Sequence, residues 1–307
     1  MAEALVMSYF TAASESLHLA ISRDGVQWTP TFEGATVLRG SVGARSLRDP
    51  FVGVGLDGKY HLLATNGWNS RSIVHASSDD LIEWSEQELI PVMESVSSAQ
   101  NAWAPEFFVD IENNTHHVVW SSSNQGDATT WTALGDTHEM TMDHRIWSSS
   151  TTDFTTWSDA AVFFDPGYTV IDASVRRCDN GYLMAYKDER GTNQDHTTFK
   201  GIRTVTFKNV GGPFAIPSAI LTSAPAEGPT LFDTADGLVM MFDQFLDGTY
   251  GAMTTRDAVR WEPIVGFRPP PGARHGAVLQ VPEHDLLRLE RALLGTSRRK
   301  PTTRVSE

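Results

Sequence analysis

The sequence has one cysteine, Cys178, in 307 residues. A single thiol excludes an internal disulfide and a cysteine-rich zinc site. Basic residues are also scarce: 24 Lys and Arg stand against 38 Asp and Glu, a formal net charge of -14. That balance argues against a nucleic-acid partner, because neutralising phosphates takes a basic face. It argues equally against an anionic membrane surface. No apolar run approaches the roughly 20 residues that span a bilayer as a helix. The opening residues, MAEALVMSYFTAASES, carry neither a basic region nor a signal-type apolar core. They point to a cytoplasmic protein if Met1 is the native start, and to an extracellular one if a leader has been removed. A sustained helical period is missing too, which turns attention to strands.

What the chain does have is repetition. Four segments share one pattern: LRDPFVGVGLDGKYHLLATNGW (47–68), WAPEFFVDIENNTHHVVWSSSN (103–124), VIDASVRRCDNGYLMAYKDERG (170–191) and AEGPTLFDTADGLVMMFDQFLDG (226–248). Each opens with a polar or Pro-containing stretch bearing one acid: Asp49, Glu106, Asp172 or Glu227. Each runs through alternating apolar residues to a turn at Asp57-Gly58, Asn113-Asn114, Asn180-Gly181 or Asp236-Gly237. Such pairs supply the positive φ of tight hairpin turns. A second apolar run follows every turn.

Between these hairpins lies a second repeated element, Asp-x-x-x-Trp, with the pairs Asp24/Trp28, Asp80/Trp84, Asp153/Trp157 and Asp257/Trp261. A degraded fifth copy over 202–217 puts Asn209 and Phe214 in similar places. We read the element as structural: the Asp organises a turn and the Trp packs between sheets. Two hairpins per unit make four strands, and radial repetition of four-stranded sheets makes a β-propeller. The chain is therefore predicted to be all-β, a five-bladed propeller of four-stranded blades. One inner hairpin is missing. The lone strands near 4–13 and 274–282 supply it if N- and C-terminal strands pair and close the ring. A single domain is expected over 1–293, followed by a disordered polar tail over 294–307.

In a propeller the first strand of each blade runs along the central axis, so the four acids would converge at one end. Taken singly, each reads as a turn or cap residue. Repeated at matching places they ask for a reason, because packed like charges destabilise a fold. The usual reasons are a bound cation or acid–base catalysis.

The ordered set LRDPF, NAWAPEFF, VIDAS, AEGPT and RHGAV resembles the family 43 glycoside hydrolases across nearly the whole chain. That resemblance implies a five-bladed propeller that removes terminal arabinofuranoside, xyloside or galactoside residues from plant-type oligo- or polysaccharides, with inversion and mostly by exo action. It implies Asp49 as general base, Glu227 as general acid and Asp172 as the residue that orients the acid and tunes its pKa. Glu106 matches none of these three and would support the pocket. Arg48, Trp103 and Lys187 become candidates for sugar contacts; each also reads as a surface charge or a core aromatic. His275 matches a histidine near which the family often holds calcium or sodium, and it would orient a water on such an ion. No cofactor is needed for the chemistry itself. Inverting hydrolysis requires two carboxyl groups about 6.5–9.5 Å apart.

Three rivals remain. A retaining fructan-type hydrolase or transferase typically carries an Asn-Asp-Pro-Asn motif, which LRDPFV lacks. An inverting phosphorylase would need a basic phosphate pocket. A non-catalytic sugar-binding propeller would have lost acids that are all present. The long stretch 124–145 is expected at the rim of the site. The sugar, the linkage and the oligomeric state are not fixed by the sequence.

Overall fold

The computed structural model describes residues 4–123, 143–190 and 200–296. Five antiparallel sheets follow one another along the chain. Blade 1 combines Ala273–Val281, Ala4–Thr11, Ser14–Ser22 and Thr29–Pro30, in that order outward. Blade 2 runs Arg48–Val54, Tyr60–Thr65, Ile73–Ser78 and Glu88–Ile90. Blade 3 runs Trp103–Asp110, Thr115–Ser123, His144–Thr151 and Ala161–Phe164. Blade 4 has Val170–Cys178, Gly181–Asp188 and Gly201–Phe207, and blade 5 has Glu227–Thr234, Gly237–Gln244, Thr249–Thr255 and Glu262–Pro263. The first strand of each blade packs against the first strands of both neighbours, which closes a five-bladed propeller around an axis.

The ring closes as the terminal strands require. Ala4 pairs with Val281 and Thr11 with Ala273, while Leu5 pairs with Ser22 on the other side. The N-terminal strand is thus ladder-bonded on both edges, and blade 1 draws on both ends of the chain. Blade 4 departs from the four-strand pattern. Its outer edge is a single bridge, Phe207 to Phe214, not a fourth strand. The connecting run Gly211-Gly212-Pro213 explains this, since both glycines have positive φ and proline cannot donate to a ladder.

The Asp-x-x-x-Trp elements are structural in the way their composition suggests. Asp24 accepts from the main-chain N–H groups of Val26 and Gln27, both at 2.8 Å, and Asp80, Asp153 and Asp257 repeat the arrangement. The residue after each Asp has positive φ: Gly25, Leu81, Phe154 and Ala258. The aromatics Trp28, Trp84, Trp157, Phe214 and Trp261 each join a different apolar cluster between one blade and its predecessor. Phe214 takes the place of the tryptophan in blade 4.

A helix over Glu283–Thr296 follows the closing strand, where the strand pattern gave no reason to expect one. It forms because Leu286 and Leu289, three residues apart, share a face and bury completely among Leu19, Leu62 and Ala76. Tyr60 donates to Asp285 at 2.6 Å, and Arg23 bridges Glu283 at 2.9 Å and Glu290 at 3.1 Å. The helix thus seals the seam between blades 1 and 2. Leu294–Thr296, at the start of the expected tail, belong to this helix; residues 297–307 lie outside the described residues. Among the described residues no helix is long and apolar enough to cross a membrane. Leu289→Ala should cost about 2–5 kcal/mol, the range for an unrelaxed core cavity, measured as a lowered denaturant midpoint.

The seam between blades 2 and 3 holds a stack of histidines. His61 and His75 both stack on Phe154, with ring centroids 4.1 and 4.9 Å away. Asp57 lies 3.0 Å from His61 Nε2, and His61 Nδ1 lies 3.0 Å from His75 Nε2. Burial, helped by the neighbouring His61, pulls the His75 pKa down to about 4. A base whose pKa is depressed on folding stabilises the protein above its unfolded value and loses that stability as pH falls through the folded one. Stability should therefore drop between pH 6.5 and 4 by on the order of 3 kcal/mol from this group. Denaturant titrations across that range should show a flatter slope for His75→Phe.

Candidate active site

Every inner strand carries a β-bulge near its start. The registers jump between Arg48 and Phe51, Trp103 and Glu106, Ile171 and Ser174, Glu227 and Thr230, and at His275 opposite Tyr9/Phe10. Bulges re-aim side chains and recur beside active sites. Asp49, Ala104, Asp172 and Gly228 occupy the same bulge position, with φ of 48, 46, 57 and 54°. Asp tolerates the left-handed region better than most residues; a branched side chain would not. His275 is the fifth member of this ring by register.

This register corrects the idea of four equivalent acids. Asp49 and Asp172 are equivalent. Glu227 stands one residue earlier and Glu106 two residues later. Two residues along a strand is about 7 Å, so Glu106 belongs to the next layer down the axis, level with Ser174 and Thr230. It is buried but does not line the pocket that holds the other three acids. Burial pushes its pKa up to about 8, against the opposing pull of His275 and Ser174.

Asp49, Asp172 and Glu227 line one pocket of about 250 Å³ at the end of the axis where the inner strands begin. Arg48, Trp103, Lys187 and His275 line it as well, so each of these candidates is brought to the site. The stretch 124–142, expected at the rim, lies outside the described residues.

Each carboxylate has its own surroundings. Thr65 Oγ1 donates to Asp49 Oδ2 at 2.7 Å and accepts from the Ala104 N–H at 2.7 Å, tying blade 2 to blade 3. The Asp172 N–H donates to Ser121 Oγ at 3.0 Å, and its Oδ2 accepts from the Gly228 N–H at 3.1 Å. Gly228 is required here: a Cβ would stand 2.4 Å from His275 Cγ. The missing side chain is what lets the imidazole lie between the acids, with Nδ1 3.4 Å from Asp49 and 4.0 Å from Asp172. Burial pulls the His275 pKa down, but Asp172, Asp49 and Glu227 outweigh it and hold it above the ordinary value. Burial raises Asp172 to about 6; His275 opposes the rise and Glu227 adds to it.

Glu227 is surrounded by cations. Lys187 Nζ donates to its Oε2 at 3.0 Å, and Arg274 Nη2 lies 3.6 Å from its Oε1. Burial alone would raise the Glu227 pKa; Lys187, His275 and Arg274 overcome it and hold the carboxyl below its usual value. The expectation that Asp172 keeps Glu227 protonated is thus opposed by the Lys187 ammonium paired with it. Lys187 is itself gripped by Glu189 at 2.7 Å, and Glu189 by Lys200 at 2.8 Å.

Two tryptophans and Phe245 supply the aromatic lining among the described residues. Trp103 donates to the Trp68 carbonyl at 2.7 Å, and the two rings meet edge-on with centroids 5.5 Å apart. Arg48 lies over the Trp68 ring at 4.3 Å and pairs with Glu15 at 2.7 Å. Trp68, Thr65, Glu189, Lys200 and Arg274 were not singled out from the sequence. Glu189 lies two residues from Lys187 within YKDERG and Arg274 within RHGAV, so proximity to a marked motif was their only signal. Thr65 and Trp68 had none beyond the end of a strand.

Among the described residues no three His, Cys, Asp or Glu side chains are placed to hold a metal ion. His275 directs Nδ1 at carboxylates.

Fold and pocket together define a class: five-bladed propellers with an axial carboxylate pocket. Residues 1–286 match the model of a family related to glycoside hydrolase family 43, described as "Probable glycosyl hydrolase domain", and the chain belongs to that family. An alpha-L-arabinofuranosidase of Bifidobacterium longum is 27% identical over 175 residues, which cover 52% of this chain and 16% of that protein. The match thus spans about a sixth of the relative's length. An alpha-L-arabinofuranosidase from Lactobacillus brevis superposes with a TM-score of 0.54 at 17% identity, covering 71% of this chain and 72% of the other. An endo-arabinase from Bacteroides thetaiotaomicron gives 0.55 at 16%, covering 82% and 85%. These two are likenesses of fold.

Thr65→Val should remove the donor to Asp49 and leave the buried Ala104 N–H unpaired. The expected cost is about 1–3 kcal/mol, read as a lowered denaturation midpoint; Thr65→Ser should restore most of it.

Proposed function

We propose that the protein hydrolyses terminal glycosidic bonds with inversion, and that α-L-arabinofuranosides are the first substrates to test. The observation that carries the reading is the convergence of Asp49, Asp172 and Glu227 from three blades on one small pocket beside Trp68 and Trp103. Inverting hydrolysis needs a base for water and an acid for the leaving oxygen, on opposite sides of the sugar. Asp49 takes a proton from water as the water oxygen bonds to the anomeric carbon. The bond from that carbon to the leaving oxygen breaks, and Glu227 delivers its proton to that oxygen. Asp172, fixed by Ser121 and Gly228, stands beside both and stabilises positive charge developing on the sugar. A pocket of about 250 Å³ favours a chain end over the middle of a polymer, which supports exo action. The name of the Bifidobacterium longum relative supports arabinofuranoside over xyloside or galactoside.

Leaving-group dependence tests the roles. Glu227→Gln should lose about 10²–10⁴ in turnover on glycosides with poor leaving groups and far less on aryl glycosides that depart unaided. Asp49→Asn should impair both alike, since every substrate needs the water. The reverse pattern would interchange acid and base. No change in hydrolysis from either substitution would end the catalytic reading.

A further inference from the structure

Lys187 is an unusual neighbour for a carboxyl that has to donate a proton. It is on the second strand of blade 4, beside Ile171 in register and next to the bulge that carries Asp172. Its side chain is 5% exposed and lines the pocket. Its Nζ donates to Glu227 at 3.0 Å and forms an ion pair with Glu189 at 2.7 Å. Glu189 is in turn fixed by Lys200, so the lysine is held from behind. The ring of Phe245 lies 4.8 Å from Nζ. A lysine so pinned cannot swing to solvent, and its charge stays on Glu227.

We propose that Lys187 is a positioning residue that holds Glu227 ionised before substrate arrives, so that Glu227 takes up its catalytic proton only once a sugar competes for the lysine. The inference rests on the reading of Glu227 as the acid. Sugar hydroxyls entering the pocket accept hydrogen bonds from Nζ and weaken its pairing with Glu227. The carboxylate, more weakly paired and further desolvated by the sugar, then takes a proton from solvent water. That proton is the one delivered to the leaving oxygen. Glu189 sets the strength of the device, because it shares the ammonium with Glu227. The other titratable and charged groups facing Glu227 are Asp172, His275, Arg274, Asp243 and Tyr250, with Asp49 on the same pocket wall, drawn from blades 1, 2, 4 and 5. Among the described residues only Lys187 combines a 3.0 Å pairing with Glu227 and a place on the pocket wall.

The test is the pH dependence of kcat/KM, whose alkaline limb reports the acid of the free enzyme. Lys187→Met removes the nearest positive charge, so the limb should move up by about one pH unit or more. Glu189→Gln leaves the ammonium to Glu227 alone, so the limb should move down. Lys187→Arg should keep it near the wild-type position. A purely structural lysine would lower activity at every pH and leave the limb in place, which would overturn the proposal, as would shifts of equal sign in the Met and Gln variants. If Lys187→Met does not fold, the direction of the Glu189→Gln shift decides. Carbon-13 NMR titration of the Glu227 carboxyl, assigned by its loss in Glu227→Gln, reads the same ion pair without turnover. A protein that cleaves no glycoside fails as a hydrolase; whether Lys187 clamps Glu227 is then decided by whether that carboxyl titrates higher in Lys187→Met.

Discussion

Burial of several carboxylates around one axis is the constraint to which the rest of the molecule answers. Asp49, Asp172, Glu227, Glu106 and Asp243 lie within one narrow column, and isolated buried charges of one sign would not be tolerated. The fold answers with three cations in fixed places. His275 sits between Asp49 and Asp172, Arg274 binds Asp243 at 2.8 Å, and Lys187 binds Glu227. Hydrogen-bond donors supply the rest: Thr65 to Asp49 and the Gly228 N–H to Asp172. The compensating groups come from four strands in four blades, so the electrostatic balance and ring closure are one problem. His275 and Arg274 stand on Ala273–Val281, the strand that the N-terminal strand pairs with to complete blade 1. Loss of that pairing would remove two of the three cations from the axis.

The bulges translate this constraint into backbone. A regular strand sends successive side chains to opposite faces. A left-handed residue at four of the bulges, and an extra residue in the ladder at His275, re-aim the chain where the blade begins. One geometry, used four times, holds Asp, Ala, Asp and Gly, and His275 fills the fifth place at a bulge of its own. The chemistry of the site comes from this non-equivalence: two carboxylates, one absent side chain, one methyl and one imidazole. Gly228 shows the coupling most directly, since its emptiness is filled by the His275 ring and its N–H is used by Asp172.

Strain of this kind has to be held by packing. Non-glycine residues in the left-handed region cost on the order of 1–2 kcal/mol each. The five apolar clusters between blades offset it, each anchored by one outer aromatic. The histidine stack in the seam of blades 2 and 3 and the terminal helix over the seam of blades 1 and 2 fill two of these seams by unrelated means. The site is rigid at its base for this reason: every inner strand is wedged on both sides.

Much of the architecture was legible in the sequence because it is written in local rules. The hairpin turns depend on residues that reach positive φ, and Gly58, Asn114, Gly181 and Gly237 all do so. The Asp-x-x-x-Trp turns depend on an Asp that caps its own next residues. Their repetition gave the blade number, and the unpaired strands at 4–13 and 274–282 gave the closure. Asp49, Asp172 and Glu227 were legible as a set because their motifs recur in order. What the sequence could not decide was depth and partnership. A shift of two residues along an inner strand moved Glu106 out of the pocket, and no residue pattern distinguishes a bulge position from its neighbour. The helix over Glu283–Thr296 depended on a hydrophobic seam that exists only once blades 1 and 2 are side by side. The pairing of Lys187 with Glu227 joins residues 40 positions apart on two blades. Only tertiary structure could bring that charge to the carboxyl, because Coulomb interactions act through space and the sequence records order alone.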